Sequence, residues 1–315
     1  MISVRIADRK CEAHNILSFE LVSATGEALP PFSAGSHIDI HLPNGLIRQY
    51  SLYNSSQAEH SYKIAVLLAP EGRGGSSAMH QLQVGQEFNI SQPRNLFPLS
   101  HEAKKTLLFA GGIGITPILS MAERLSQIGA DFELHYYSRS WEHAAFAEKL
   151  KSCSFAHRVN LYFDSEPDTK PDLASMLANR TPDEHLFVCG PTGFMNFVLD
   201  SARNVGWGEN QLHREYFANE AGDADSNQSF EITIASTQQV LKVPAERSIL
   251  QVLMENEIEI PYSCEQGVCG TCLVRVLEGT PDHRDLYLSA SERSANDQIL
   301  TCCSRAHGKK LVLDI

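Results

Sequence analysis

The sequence predicts three modules in a row: an antiparallel β-barrel, a parallel α/β sheet and a small β unit built around a cysteine-rich loop. Three observations carry this. Residues 1 to 100 hold short alternating segments separated by turn residues, residues 101 to 217 alternate strand with helix, and Cys264, Cys269 and Cys272 crowd one loop near the end. A chain of 315 residues has room for that many domains and for sizeable cores.

In the first module, strands are expected at Ser36 to Leu42, Arg48 to Tyr53, Tyr62 to Leu68 and Gln86 to Ile90. On a strand, Arg48 and Tyr50 share one face, so a cation and an aromatic ring meet a ligand together. Gly72-Arg73-Gly74-Gly75-Ser76-Ser77 is a glycine-rich turn offering amides, a guanidinium and two hydroxyls to an anion. Together they point to a phosphate-bearing flavin, although each alone is an ordinary strand or turn.

In the second module, strands fit at Thr106 to Ala110, Glu133 to Ser138, Arg158 to Phe163 and His185 to Cys189, with helices at Ile118 to Ile128 and Gly193 to Val205. Gly111-Gly112-Ile113-Gly114-Ile115-Thr116-Pro117 is a strand-to-helix turn that admits a pyrophosphate to a helix N-terminus, with Pro117 suited to the first turn. Ligands of open α/β sheets sit at strand ends, which makes Gly112, Gly114, Thr116 and Cys189-Gly190-Pro191 candidate nicotinamide and phosphate contacts, and Ser138 and Arg139 candidates for the adenosine ribose. Cys189 reads equally as a small core residue.

Residues 218 to 229 are small, polar and acidic, as a linker would be. Beyond them a hairpin (Phe230 to Ala235, Gln239 to Val243), a helix (Ser248 to Asn256), a strand (Thr271 to Leu277) and a closing segment from Lys310 to Ile315 form a β-grasp. Cys-x4-Cys-x2-Cys with a distant fourth Cys is the plant-type spacing for a [2Fe–2S] cluster. Gly267 and Gly270 let the backbone wrap closely around an inorganic core and aim amides at its sulfurs. Structural zinc usually takes two Cys-x-x-Cys knuckles, and only one is present; disulfides belong to secreted chains. The fourth ligand is Cys302 or Cys303, because only one of two neighbours on an extended segment points inward.

Net charge of −12 argues against nucleic acid and anionic membranes as partners. The apolar run from Leu107 to Met121 is broken by Gly111, Gly112, Gly114 and Pro117, and the N-terminus lacks a signal-peptide layout, so a cytoplasmic protein is expected.

The order of parts resembles the phthalate dioxygenase reductase family, which includes the vanillate O-demethylase reductases. The likeness spans the chain and rests on Arg48-Gln49-Tyr50-Ser51-Leu52, Gly72 to Ser76, Gly111 to Pro117, Cys189-Gly190-Pro191, Glu215-Tyr216-Phe217 and the Cys264 to Cys302 set. It implies a ferredoxin-reductase-like FMN barrel over 1–100 holding FMN through Arg48, Gln49, Tyr50, Ser51, Arg73, Gly74, Gly75 and Ser76, a nicotinamide domain over 101–217, and a plant-type ferredoxin over 230–315. It also implies Ser51 at flavin N5, Phe217 stacked near the isoalloxazine, and Cys302 as fourth ligand, with Cys303 falling where an apolar residue is common. The activity implied is that of a monomeric reductase that takes electron pairs from NADH, with NADPH left open, and passes them through FMN and the cluster to a terminal Rieske-type oxygenase in a transient complex. A reductase of another acceptor and a non-catalytic iron–sulfur sensor are the alternatives.

Overall fold

The computed structural model describes residues 1–58, 60–166, 170–178, 181–217 and 227–315. The expected linker falls largely on 218–226, outside the described residues. Two compact units divide the chain, Met1–Glu215 and Tyr216–Ile315.

The first unit opens with strands β1 (Ile2–Ala13) and β2 (Ile16–Ser23), a hairpin longer than any strand expected from the sequence. Strands β3 (His37–His41), β4 (Ile47–Ser51), β5 (Tyr62–Leu67), helix α1 (Gly75–Gln81) and strand β6 (Glu87–Ile90) follow. The antiparallel order is β4-β3-β6-β1-β2-β5, and a bridge from Leu52 to Ile64 brings the two edges together. Closure leaves no open edge and turns alternate side chains inward. Val4, Ile6, Phe19, Leu21, Ile38, Ile40 and Ile64 fill the interior.

The same unit continues with β7 (Lys105–Gly111), α2 (Ile115–Gln127), β8 (Asp131–Ser138), α3 (Ala147–Ser152), β9 (Val159–Phe163), α4 (Leu173–Ala178), β10 (Glu184–Cys189), α5 (Thr192–Asn204) and β11 (Leu212–Glu215). All pairings are parallel, in the order β11-β10-β7-β8-β9. The chain builds outward from β7 in one direction, then crosses back to β10, so the switch point lies between β7 and β10.

Helix α2 decides how the two sheets meet. Its residues from Ile115 to Ala122 are all buried, which a helix lying on one sheet alone would not show. The second cover is the barrel: Ser120 Oγ donates to the Asn54 carbonyl at 3.1 Å, and Met121 packs beside Gly35. Ile16, Ala34, Tyr53 and Ala65 of the barrel share one apolar cluster with Leu108, Ile118, Met121 and Phe187. The end of β4 is thereby held beside the loops at the switch point.

In the second unit, β12 (Phe230–Ile234), β13 (Val240–Val243), α6 (Ile249–Glu255), β14 (Leu273–Glu278), β15 (Pro281–Asp282), α7 (Ala290–Ala295), β16 (Gln298–Leu300), β17 (Arg305–Ala306) and β18 (Lys310–Leu313) form a β-grasp in the order β13-β12-β18-β14-β16, with β15 and β17 as a separate pair. Ser248 and Gln251 form a reciprocal cap on α6, and its Ile249, Val252 and Leu253 pack on Ile232, Val243 and Leu311. The buried Arg305 donates to the carbonyls of Arg247, Gln228 and Pro244, pinning the start of the unit to the strand that follows the cysteine pair.

One expectation needs correction. The segment holding Cys302 and Cys303 is not extended: residues 301–303 form a turn in which the Cys303 and Ser304 amides both point to the Leu300 carbonyl. The Thr301 side chain forces the bend by donating to the Cys272 carbonyl at 3.1 Å. Among the described residues no helix is long and apolar enough to cross a membrane.

Candidate functional site

The cysteine loop is shaped by its backbone. Glu265, Gly267 and Gly270 all have positive φ, which curls the chain between Cys264 and Cys272 and leaves those two thiols and Cys269 buried. A Cβ on Gly270 would strike the Tyr287 ring at 2.3 Å, so only glycine fits there. The Gln266 amide donates to Cys264 Sγ at 3.3 Å. The thiols interact in pairs: Cys264 with Cys269, Cys272 with Cys302, and Cys264 with Cys302 across the two. The neighbouring Cys269 and Cys302 thiols, aided by the Gln266 and Val268 amides, hold the Cys264 thiol far below the ordinary range, while the Cys302 thiol is pushed up, first by Cys264 and then by Cys272 and Cys303. Thiolates this close repel, and a set that gives up all its protons requires a polycation in its midst. Two ligand pairs of this kind suit a two-iron core. Among the described residues, no three His, Cys, Asp or Glu side chains converge on a single ion.

In the first unit, the Arg48 side chain crosses the start of α1. Its Nη2 donates to the Arg73 carbonyl at 3.0 Å, and a Cβ on Gly75 would fall 2.5 Å from Arg48 Nε. Gly74, at φ 78°, turns the chain into the helix. The expected cation and glycine turn therefore do meet. The Ser76 hydroxyl has a local task, accepting from the Ala69 amide and donating to the Ala69 carbonyl. Gln49 donates to the buried Asp39, which also pairs with Arg94 at 2.7 Å. Burial pushes the Tyr50 phenol above its usual range.

At the switch point, backbone presses on backbone. A Cβ on Gly114 would lie 2.2 Å from the Cys189 carbonyl oxygen, and one on Gly190 would lie 2.9 Å from Gly111 Cα. Thr116 donates to the Ile113 carbonyl at 3.1 Å, tightening the same loop. Pro191 precedes α5 as its cap residue. Ser138, at the end of β8, has a buried hydroxyl without a hydrogen-bond partner, and Arg139 beside it is exposed. Cys189 is fully buried, and burial first, then the Glu215 carboxyl, raises its thiol pKa well above the ordinary value.

Glu215 pairs in register with Cys189 across β10 and β11, and Ser51 Oγ donates to Glu215 Oε2 at 3.4 Å. The end of β4 and the ends of two parallel strands thus meet at one point. Glu215 retains some exposure, yet its carboxyl is ringed by protein: desolvation raises its pKa to about 8, against a smaller lowering by Ser51. Phe217 lies in the second unit and is 38% exposed.

Comparison with known proteins fits this geometry. Residues 232–307 match the 2Fe-2S iron-sulfur cluster binding domain. Over all of both chains, the sequence is 53% identical to a vanillate O-demethylase oxidoreductase from a Pseudomonas species. It is 39% identical to the phthalate dioxygenase reductase of Burkholderia cepacia, covering 100% of this chain and 97% of that one. A solved structure of a phthalate dioxygenase reductase superposes with a TM-score of 0.82 at 38% identity, covering 100% of this chain and 98% of the other. This chain belongs to the phthalate dioxygenase reductase family.

Membership in the phthalate dioxygenase reductase family makes the chain an oxidoreductase that carries electrons for an oxygenase system, with a flavin-type barrel, a nucleotide sheet and a cluster domain in one polypeptide. The arrangement adds Glu215 to the candidate residues. The sequence offers Glu215-Tyr216-Phe217 as a family feature but assigns no role to the carboxylate, because its partners Ser51 and Cys189 are brought to it only by the fold. Asp39 and Arg94, which brace Gln49, are likewise invisible to local pattern.

Proposed function

We propose that this protein is the NADH-dependent reductase of a two-component Rieske-type oxygenase, with FMN on residues 1–100, the nicotinamide nucleotide on 101–217 and a [2Fe–2S] cluster on 230–315. The observation that carries the reading is the paired thiol set: Cys264 with Cys269 would hold one iron, and Cys272 with Cys302 the other. When bound, a flavin accepts an electron pair from reduced nicotinamide and yields single electrons to an iron–sulfur centre.

The chain's own residues bind, orient and exclude. Arg48, Arg73 and the amides of Gly74, Gly75 and Ser76 would form the cradle for the flavin phosphate, with Tyr50 on the same strand face as Arg48 and Gln49 braced on Asp39. Gly112, Gly114, Thr116, Gly190 and Pro191 would meet the nucleotide at the strand ends, where a Cβ on Gly114 or Gly190 would strike backbone, with Ser138 and Arg139 towards its ribose. Ser51 would present its hydroxyl towards flavin N5, and Phe217 is the aromatic residue that the family resemblance puts near the isoalloxazine. Burial raises the Glu215 carboxyl to about 8, so at neutral pH it would stand beside Ser51 in its uncharged form.

The protein acts as a cytoplasmic monomer that meets its oxygenase transiently. Denaturation is expected to release FMN; release of FAD, or of no flavin, contradicts the reading. In stopped flow, Ser51→Ala is expected to slow flavin reduction by NADH by about 10- to 100-fold, the loss of one strong hydrogen bond, and a parental rate removes Ser51 from the mechanism.

A further inference from the structure

Cys303 is the fifth thiol of the cluster pocket, and its position does not suit a simple filler. Residues 301–303 form a turn, so consecutive side chains are offset by about 100° rather than by the half-turn of a strand, and Cys303 is not directed to the opposite face from Cys302. The Cys302 thiol interacts with Cys303 as well as with Cys264 and Cys272. Cys303 Sγ lies 2.4 Å from where a Cβ on Gly267 would stand, filling the space that the cysteine loop leaves at that glycine. Its other neighbours are loose: the Leu300 carbonyl at 4.0 Å and the Ser304 hydroxyl at 3.8 Å. Sulfur at these distances is held by weak bonds at most.

We propose that Cys303 is an alternate fourth ligand of the iron–sulfur core, taking the place of Cys302 when that thiolate is absent or displaced. The inference rests on the assignment of Cys302 made above. In the exchange, the Fe–S bond to Cys302 breaks and its sulfur takes up a proton; the Cys303 thiol gives its proton to solvent and forms the new Fe–S bond. Iron oxidation states and total charge are unchanged, so the step requires no oxidant. An apolar residue at 303 would fill the same space without offering this route.

The test uses the whole chain, with iron and acid-labile sulfide content and the electron paramagnetic resonance spectrum of the reduced protein as readouts. Cys303→Ala is expected to keep parental content and spectrum. Cys302→Ala is expected to keep at least half the parental iron and sulfide with a shifted spectrum, and the double variant C302A/C303A to lose the cluster. Equal content in Cys302→Ala and the double variant, whether both empty or both loaded, overturns the proposal. Cys302→Ser, closer in size to the parent, guards against a folding defect: adding Cys303→Ala to it is expected to change the spectrum or empty the site, and no change overturns the proposal. If instead Cys303→Ala is empty while Cys302→Ala has the parental spectrum, the assignment of Cys302 as ligand is what fails.

Discussion

The cysteine loop and the Ser51–Glu215 site are built on opposite principles. The first is local: three thiols within nine residues, curled by positive-φ backbone at Glu265, Gly267 and Gly270, and completed by one turn that Thr301 ties to Cys272. The second is assembled from distant parts, with Ser51 reaching Glu215 across 164 residues because α2 is packed between the barrel and the parallel sheet. A local site depends on its ligands and glycines; an assembled one depends on the packing that brings strand ends together. Substitutions in the two should therefore fail in different ways.

The largest expected effect lies in the loop. Cys264→Ala removes a thiol that touches both Cys269 and Cys302, and iron and sulfide content are expected to fall to background. Flavin bleaching by NADH should persist, because the first unit has its own core. Loss of flavin together with the cluster would show that the sites are not independent.

Next comes Gly114→Ala at the assembled site. Its Cβ meets the Cys189 carbonyl at 2.2 Å, and the strand ends must part to admit it. Overpacking of this kind costs about 1–3 kcal/mol. Thermal unfolding of the first unit should shift down and NADH affinity should drop, with cluster absorbance unaltered; an unchanged melting temperature would mean that the two loops are not in contact.

The third expected effect is a pH dependence. The Glu215 carboxyl has a pKa raised from 4.5 to about 8, so between those values the folded chain holds a proton that the unfolded chain has released. Stability contributed by this group is present below about pH 4.5, falls as pH rises towards 8 and is constant above it, an amount of about 5 kcal/mol at most. Glu215→Gln should flatten that slope in chemical denaturation at a series of pH values. A slope identical to the parent would place the titration elsewhere.

The same contrast explains what could be read from the chain alone. The cysteine spacing, the strand–helix alternation and the glycine turn at 111–114 are local signals, and the folded elements lie within a few residues of where they are expected. Strands β1 and β2 escape pattern reading because Asp8 and Lys10 stand where the apolar alternation of Val4 and Ile6 would continue, on a half-exposed sheet. Glu215 escapes because its significance depends on parallel register with Cys189. The Cys302–Cys303 bend escapes because a hydrogen bond from Thr301 to a residue 29 positions away overrides the extended conformation expected of the segment.

An anaerobic titration of the purified protein with NADH, followed by absorbance and by electron paramagnetic resonance, tests the central claim most directly. The expected result is loss of flavin colour together with the signal of a reduced [2Fe–2S] cluster. A protein whose colour NADH leaves unchanged, or whose flavin bleaches while the cluster stays oxidised, would contradict the account.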